Sequence, residues 1–207
     1  MEAGLQMKKV IFAFWLILLT LAPNIALSKD LDPGFYFDRG NAHFNSGEYD
    51  DAIKAYTEAI SLYPGLTDAY HNRGLSYYKK GKYEEAAADF SKVISRDPAN
   101  VQAYNNRALA YLKLGQYENA INDYTKVISM TPDFADAYHN RGIAYSNAGR
   151  YDEAIRDYDK AISLRPKDKN FYLSRGVAFA RKAMADFSRA CDAGNEVACD
   201  NLKQLAK

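Results

Sequence analysis

The sequence predicts an all-α chain, a solenoid of antiparallel helix hairpins, on three observations. The motif Ala-Tyr-x-Asn-Arg-Gly/Ala recurs at Ala69-Tyr70, Ala103-Tyr104 and Ala137-Tyr138, each copy 34 residues after the last, and a looser version starts at Tyr36. Small side chains hold two fixed places in every copy: Gly40, Gly74, Ala108, Gly142 and Gly176 at position 8, and Ala52, Ala86, Ala120, Ala154 and Ala183 at position 20. Each complete copy closes on Pro64, Pro98, Pro132 or Pro166, which removes a backbone donor and stops the second helix. A unit this short cannot bury its own apolar face, so neighbouring units must stack.

The segments follow in order. Residues 1–28 read as a secretory signal peptide, with Lys8-Lys9, the apolar run Val10 to Ala22, and Ala26 and Ser28 in the −3 and −1 places. The apolar core of about 13 residues falls short of the ~20 that span a bilayer. Cleavage near Ser28 would export the chain to the periplasm or beyond the cell. An uncleaved membrane anchor is the alternative, and Met7 is a second plausible start. Residues 29–32 are a linker ending in Asp32-Pro33, an N-cap followed by a first helical residue. Four full units occupy 33–66, 67–100, 101–134 and 135–168, then a shortened fifth at 169–193 and a capping helix at 194–207.

In the fifth unit the five positions of the Gly-x-Tyr turn, as in Gly149-Arg150-Tyr151, are missing, and Lys182 runs directly into Ala183. The junction Ala180–Ala185 contains only strong helix formers, while Leu173, Val177, Ala180, Met184, Phe187 and Cys191 keep one helical stripe. A single helix from about residue 170 to 192 is expected, roughly 35 Å long at 1.5 Å per residue, with a hairpin as the alternative. Its second half would expose an apolar face suited to a partner or to self-association through the C-terminal end.

Of the 17 tyrosines, 15 fall at positions 4, 11, 17 and 24, where they are expected to fill the core around the small residues. Taken together, these features resemble the tetratricopeptide repeat family, with Tyr36, Tyr70, Tyr104, Tyr138 and Tyr172 where the family often has Trp. The resemblance covers residues 33 to about 193 and implies a right-handed superhelix that works by binding protein or peptide. The segment from Cys191 to Cys199 resembles the cysteine-bearing hairpins of Sel1-like repeats, in which the equivalent pair is bonded. A bond would require the helix to break, because eight residues of continuous helix hold two Cα atoms ~12 Å apart. Gly194 suits the residue after a helix end and Asn195 the next N-cap. Two free core cysteines are the alternative.

With 27 basic and 26 acidic residues the net charge is +1, and loss of residues 1–28 removes Glu2, Lys8 and Lys9, leaving 25 of each. No surplus of cations exists to displace counterions, so a nucleic-acid partner is not expected. Membrane association is expected only if the signal segment stays uncleaved. Of the three histidines, His71 and His139 share position 5 but sit two repeats apart, roughly 20 Å at the usual helix spacing, so no metal site is expected. His43 replaces a position 11 tyrosine and reads as a hydrogen-bonded core residue. Phosphate loops, His-Glu-x-x-His and nucleophile elbows are all missing, so neither a cofactor nor an enzyme activity is expected.

Arginine stands at position 7 in Arg39, Arg73, Arg107, Arg141 and Arg175, and aspartate at position 23 in Asp89, Asp123, Asp157 and Asp186. A partly buried guanidinium needs a carboxylate, so structural ion pairs Arg73–Asp89, Arg107–Asp123 and Arg141–Asp157 are expected, with an anionic ligand as the alternative.

The family resemblance implies that positions 2, 5, 6, 9, 12 and 13 line a concave groove. Position 6 reads Asp38, Asn72, Asn106, Asn140 and Ser174, with Asn41 and Asn105 beside the row. A primary amide can pair with both N–H and C=O of a peptide backbone. The row resembles the asparagine ladder in the superhelical repeats of O-GlcNAc transferase, which binds peptide main chain; a merely solvated polar face is the alternative. His71, His139, Leu75, Tyr78, Leu109, Leu112 and Ile143 surround it, and Lys79, Lys113 and Arg181 add positive charge at one edge, offset by Asp68 and Asp136. The family's clamp for a peptide C-terminus is not expected, since Phe37, Gln102 and Asn106 stand where its cations would be. The reading is an exported adaptor or scaffold holding an extended segment in its groove. The alternative is a structural part of an envelope complex joined through its convex face or C-terminal end.

Overall fold

The computed structural model describes residues 32–205. The signal-peptide reading of residues 1–28, with its cleavage site, lies outside the described residues. Among the described residues ten helices follow one another: α1 (Pro33–Asn45), α2 (Tyr49–Leu62), α3 (Thr67–Lys79), α4 (Tyr83–Arg96), α5 (Val101–Lys113), α6 (Tyr117–Met130), α7 (Ala135–Asn147), α8 (Tyr151–Leu164), α9 (Lys169–Asp192) and α10 (Glu196–Leu205). They fall into two compact units divided after Lys80, the first holding α1–α3 and the second α4–α10. Among the described residues no helix is long and apolar enough to cross a membrane.

Local chemistry sets the helix limits. The first helix of each repeat starts at Pro33, Thr67, Val101, Ala135 or Lys169, which is position 1 of the 34-residue register in every case. Asp32, Asn100 and Asp168 cap three of these starts, accepting from the backbone N–H of Gly34, Ala103 and Asn170 at 2.9, 2.9 and 3.0 Å. The second helices stop one residue short of each X-Pro pair. Arg165, just before Pro166, takes φ −135° and ψ 78°, outside the helical region that a following proline ring disfavours. Between the helices of a hairpin the chain reverses through a left-handed residue, and Gly149 at φ 77° fills that place at no steric cost.

The core lies inside each hairpin. Ala52, Ala86, Ala120 and Ala154 are fully buried, and so are Tyr56, Phe90 and Tyr124 at position 24, with Tyr158 at 2 %. The helices approach so closely that a Cβ on Gly142 would stand 2.7 Å from the Tyr158 ring, and one on Gly40 2.5 Å from Tyr56. Of the four tyrosine positions this one is fully buried among the described residues, which corrects the expectation for the other three. The rings at positions 4, 11 and 17 are half-buried in the complete repeats, and Tyr172 and Phe179 in the fifth are exposed. Positions 4 and 11 have another use: Tyr70 and Tyr77, Tyr104 and Tyr111, and Tyr138 and Tyr145 each bracket the arginine between them, with ring centroids 5.4–5.8 Å from the guanidinium carbon.

α9 runs unbroken for 24 residues, the continuous helix that the turnless junction predicts. It ends at Gly194, whose φ of 91° turns the chain, and Asn195 then caps α10 by accepting from Ala198 N–H at 3.1 Å. Across this corner Cys191 and Cys199 are joined by a disulfide with their Cα atoms 4.8 Å apart.

Candidate peptide-binding surface

In the first unit, Asn41 sits at the centre of a small network. Its Oδ1 accepts from the Tyr56 hydroxyl at 2.8 Å and from Asn72 Nδ2 at 2.9 Å. Burial pushes the Tyr56 hydroxyl pKa up to about 12, so it stays a donor. The two asparagines are therefore committed partly to each other, and their role in holding α1 against α3 competes with any role in holding a ligand. Leu75, Tyr78 and His71 are half-buried on α3, and Lys79 is exposed. Burial lowers the His71 pKa, more strongly than nearby Asp68 raises it.

The second unit keeps its amides freer. Asn105 Nδ2 reaches Asn106 Oδ1 only at 3.4 Å, and Asn105 Oδ1 is buried without a donor. An unsatisfied buried acceptor costs about 1–3 kcal/mol. Asn140 lies half-buried on α7, flanked by half-buried Leu109 and Ile143, while Lys113 is exposed. His139 Nε2 lies 2.9 Å from Ser174 Oγ, and its ring packs 4.8 Å from Phe171 and 5.7 Å from Tyr158.

Burial lowers the His139 pKa below its ordinary 6.5, against smaller opposing effects of Asp168 and Asp136. The folded state thus binds fewer protons than the unfolded one. The stabilisation is present above about pH 6.5 and is lost as pH falls from there through the lowered value. Urea titrations should show stability falling with acidification over that window, with a shallower fall in His139→Gln. An identical slope in both proteins would exclude His139 as a source.

Two adjoining cavities open in the second unit where α7 meets α9. One of about 240 Å³ is lined by Ile143, Tyr158, Leu173, Ser174, Val177 and Arg181. Its neighbour, about 470 Å³, extends along Asn147, Tyr151, Met184, Ser188 and Leu202. Arg181 Nη1 donates to Asn147 Oδ1 at 3.1 Å on the wall the two share. Of these residues Ile143, Ser174 and the Arg181 charge are legible as groove in the sequence. Leu173 and Val177 occupy positions 5 and 9 of the fifth copy, so carrying the groove register past residue 168 would have found them.

Structural ion pairs occupy a different face. Arg107 Nε and Nη2 donate to the two Asp123 oxygens at 2.7 Å, and Nη1 to Ser91 Oγ at 2.9 Å. Arg141 repeats the pattern on Asp157 at 2.7 and 2.8 Å and on Thr125 Oγ1 at 3.0 Å. Asp89 is buried in the second unit, and Arg73 in the first donates to Thr57 Oγ1 at 3.0 Å. With carboxylates already in both forks of Arg107 and Arg141, these two guanidiniums are closed to an anionic ligand. His43 is not core: it lies at the first hairpin turn, its Nδ1 2.6 Å from Glu48 Oε2. With Asp51 these groups come within 4.8 Å of one another, but Asp51 is already held by Lys54 at 2.9 Å and both acids are exposed.

No curated protein matches the chain. Among solved structures, a MamA protein is 25 % identical with a TM-score of 0.70, over 84 % of this chain and 89 % of that one. The second repeat domain of human RPAP3, solved with the HSP70 peptide SGPTIEEVD, is 33 % identical with a TM-score of 0.51, over 53 % of this chain and 91 % of that one. The first such domain of Spaghetti (RPAP3), bound to the HSP90 peptide SRMEEVD, is 28 % identical with a TM-score of 0.52, over 54 % and 89 %. The family profiles that match this chain end at residue 168 and do not reach the C-terminal corner compared above with Sel1-like repeats. A TPR repeat profile matches residues 40–81, 74–115 and 110–149, and a tetratricopeptide repeat profile matches 135–168, so the chain belongs to the tetratricopeptide repeat family.

Proposed function

We propose that the protein is an exported scaffold that holds an extended peptide segment of another protein against the first helices of its second unit. The observation that carries this is the row Asn105, Asn106, Asn140 and Ser174 on α5, α7 and α9, with the apolar cavity of Ile143, Leu173 and Val177 at one end. The amides pair with main chain whatever the sequence, and the cavity selects one apolar side chain. The peptide-bound RPAP3 domains support peptide as the class of ligand. The acidic-tail mode is disfavoured, because Phe37, Gln102 and Asn106 supply no cations for a terminal carboxylate. Export draws support from the signal-like segment and from the Cys191–Cys199 bond, which persists in oxidising compartments. The reading needs no catalytic group.

Peptides selected from a random unstructured library on the purified protein provide the test. Asn106→Ala with Asn140→Ala should weaken a selected binder roughly tenfold or more, at about 1 kcal/mol per lost net hydrogen bond. Val177→Asp should abolish selection for an apolar residue. Binding untouched by all three changes would move the site elsewhere, and an exported form whose intact mass still includes residues 1–28 would refute cleavage.

A further inference from the structure

The fifth repeat contains both halves of a hairpin interface, yet neither half meets the other. At position 8, Gly40, Gly74, Ala108 and Gly142 are buried in the complete repeats, whereas Gly176 is exposed and a Cβ there would meet nothing within 4 Å. Beside it Tyr172 and Phe179 are 44 and 52 % exposed, although the same positions are half-buried elsewhere. This is an empty berth for a second helix. The helix that would fill it is present in sequence: Ala183, Asp186, Phe187 and Ala190 repeat the pattern Ala154, Asp157, Tyr158 and Ala161. Those last four are at most 6 % exposed, but here Phe187 and Ala190 are only half-buried, Ala183 is exposed, and the Asp186 side chain is 57 % exposed, paired with its i+3 neighbour Arg189. The five missing turn residues keep α9 straight, so its second half cannot fold back on its first.

We infer that the occupant of the berth is residues 183–192 of a second copy of this chain, each α9 covering the other in a reciprocal exchange. A hinge too short to turn is the usual route to such exchange. The hairpins fix the arrangement, because a second helix lies antiparallel to the first, and two α9 helices can do the same about a two-fold axis. Setting Phe187 over the partner's Gly176, as Tyr158 lies over Gly142, puts that axis between Arg181 and Lys182. Both cations are already directed elsewhere, Arg181 to Asn147 and Lys182 to Asp152, and the Asp152 carboxylate neutralises the lysine that the axis sets against the partner's Arg181. The same register carries Asp186 to the partner's Arg175. That arginine lies over the Tyr172 ring and is held by Asp159 alone, where Arg107 and Arg141 each have a same-repeat aspartate. α10 is fastened to α9 through Cys191 and leaves the Ala183–Asp186 edge open.

Light scattering on the disulfide-intact protein at rising concentration tests the exchange. The wild type should give twice the monomer mass. R175E and D186K should each be monomeric, since each homodimer would oppose like charges at both contacts, while an equimolar mixture of the two should return to the dimer mass. Inserting the five residues found at Gly149–Glu153 between Lys182 and Ala183 restores the turn and should give a monomer of unchanged helicity. Asp186 is exposed, so D186K reads the interface even if R175E disturbs the fold beside Asp159. A wild type that stays monomeric to near-millimolar concentration overturns the proposal. A dimer indifferent to D186K and to the insertion, as expected for assembly through another face, overturns it too.

Discussion

Asp157→Ala is expected to destabilise the second unit by about 3 kcal/mol, the low end of the range for removing one partner of a buried ion pair. The carboxylate takes two bonds from Arg141 at 2.7 and 2.8 Å, with side-chain exposures of 16 % for the arginine and 9 % for the aspartate. Removing it leaves a guanidinium held by Thr125 and by the faces of Tyr138 and Tyr145, none of which neutralises it. The low end applies because Arg141 keeps that small exposure and its hydroxyl partner. Asp159→Asn, which breaks the half-exposed pair with Arg175, should cost less than about 1 kcal/mol. Replacing both partners, as Arg141→Met with Asp157→Leu, should recover most of the loss, since the expense comes from an orphaned charge more than from the bond forgone. Urea unfolding of the three variants decides this. A loss in Asp157→Ala no larger than in Asp159→Asn would mean that the pair is solvated.

The helical register was fully legible, and the reason is local. Proline at position 32 and glycine at position 15 act through their own backbones, and Asp32, Asn100 and Asp168 add side-chain caps at three starts, so Pro33, Thr67, Val101, Ala135 and Lys169 follow as helix starts without reference to packing. The unbroken α9 was legible for the same reason, because the junction at Lys182 and Ala183 lacks every residue type that could turn it. What could not be read is how one side chain serves two neighbours. Arg107 and Arg141 match their same-repeat aspartates in sequence, but their third bonds go to Ser91 and Thr125 in the preceding repeat, a contact set by stacking distance. The tyrosines at positions 4 and 11 look like core in a count of apolar residues and act instead as plates around those arginines. In the site, asparagines at position 6 take different duties: Asn72 is bound to Asn41, whereas the residues 31 places before Asn106 and Asn140 are Leu75 and Leu109, which cannot accept, a difference that acquires meaning only once a first helix is known to meet the next one at that spacing. The cavity at Leu173 and Val177 depends on the missing half-repeat, and appears only once α9 is known to be straight.

Tyr158→Ala is the second large effect, expected to cost about 3–5 kcal/mol through the cavity left between α7, α8 and α9. The ring is 2 % exposed and packs with Ala154 and Ala178, so little around it can collapse inward. Its value as a probe lies in what it does to Gly142. In the wild type, Gly142→Ala gains about 1 kcal/mol of helix propensity but drives a methyl to 2.7 Å from the ring, an overpacking that costs about 1–3 kcal/mol, for a net loss of up to ~2. Ala108 already sits at the same repeat position beside Tyr124, so the backbone can widen to admit a methyl, and the loss should lie in the lower half of that span. Once Tyr158 is alanine the obstacle is gone and only the propensity gain remains. Gly142→Ala should then stabilise by up to ~1 kcal/mol, a reversal of sign between the two backgrounds and a coupling of about 1–2 kcal/mol in the double-mutant cycle. If the substitution has the same sign with and without the ring, close helix approach at position 8 is not what fixes this hairpin.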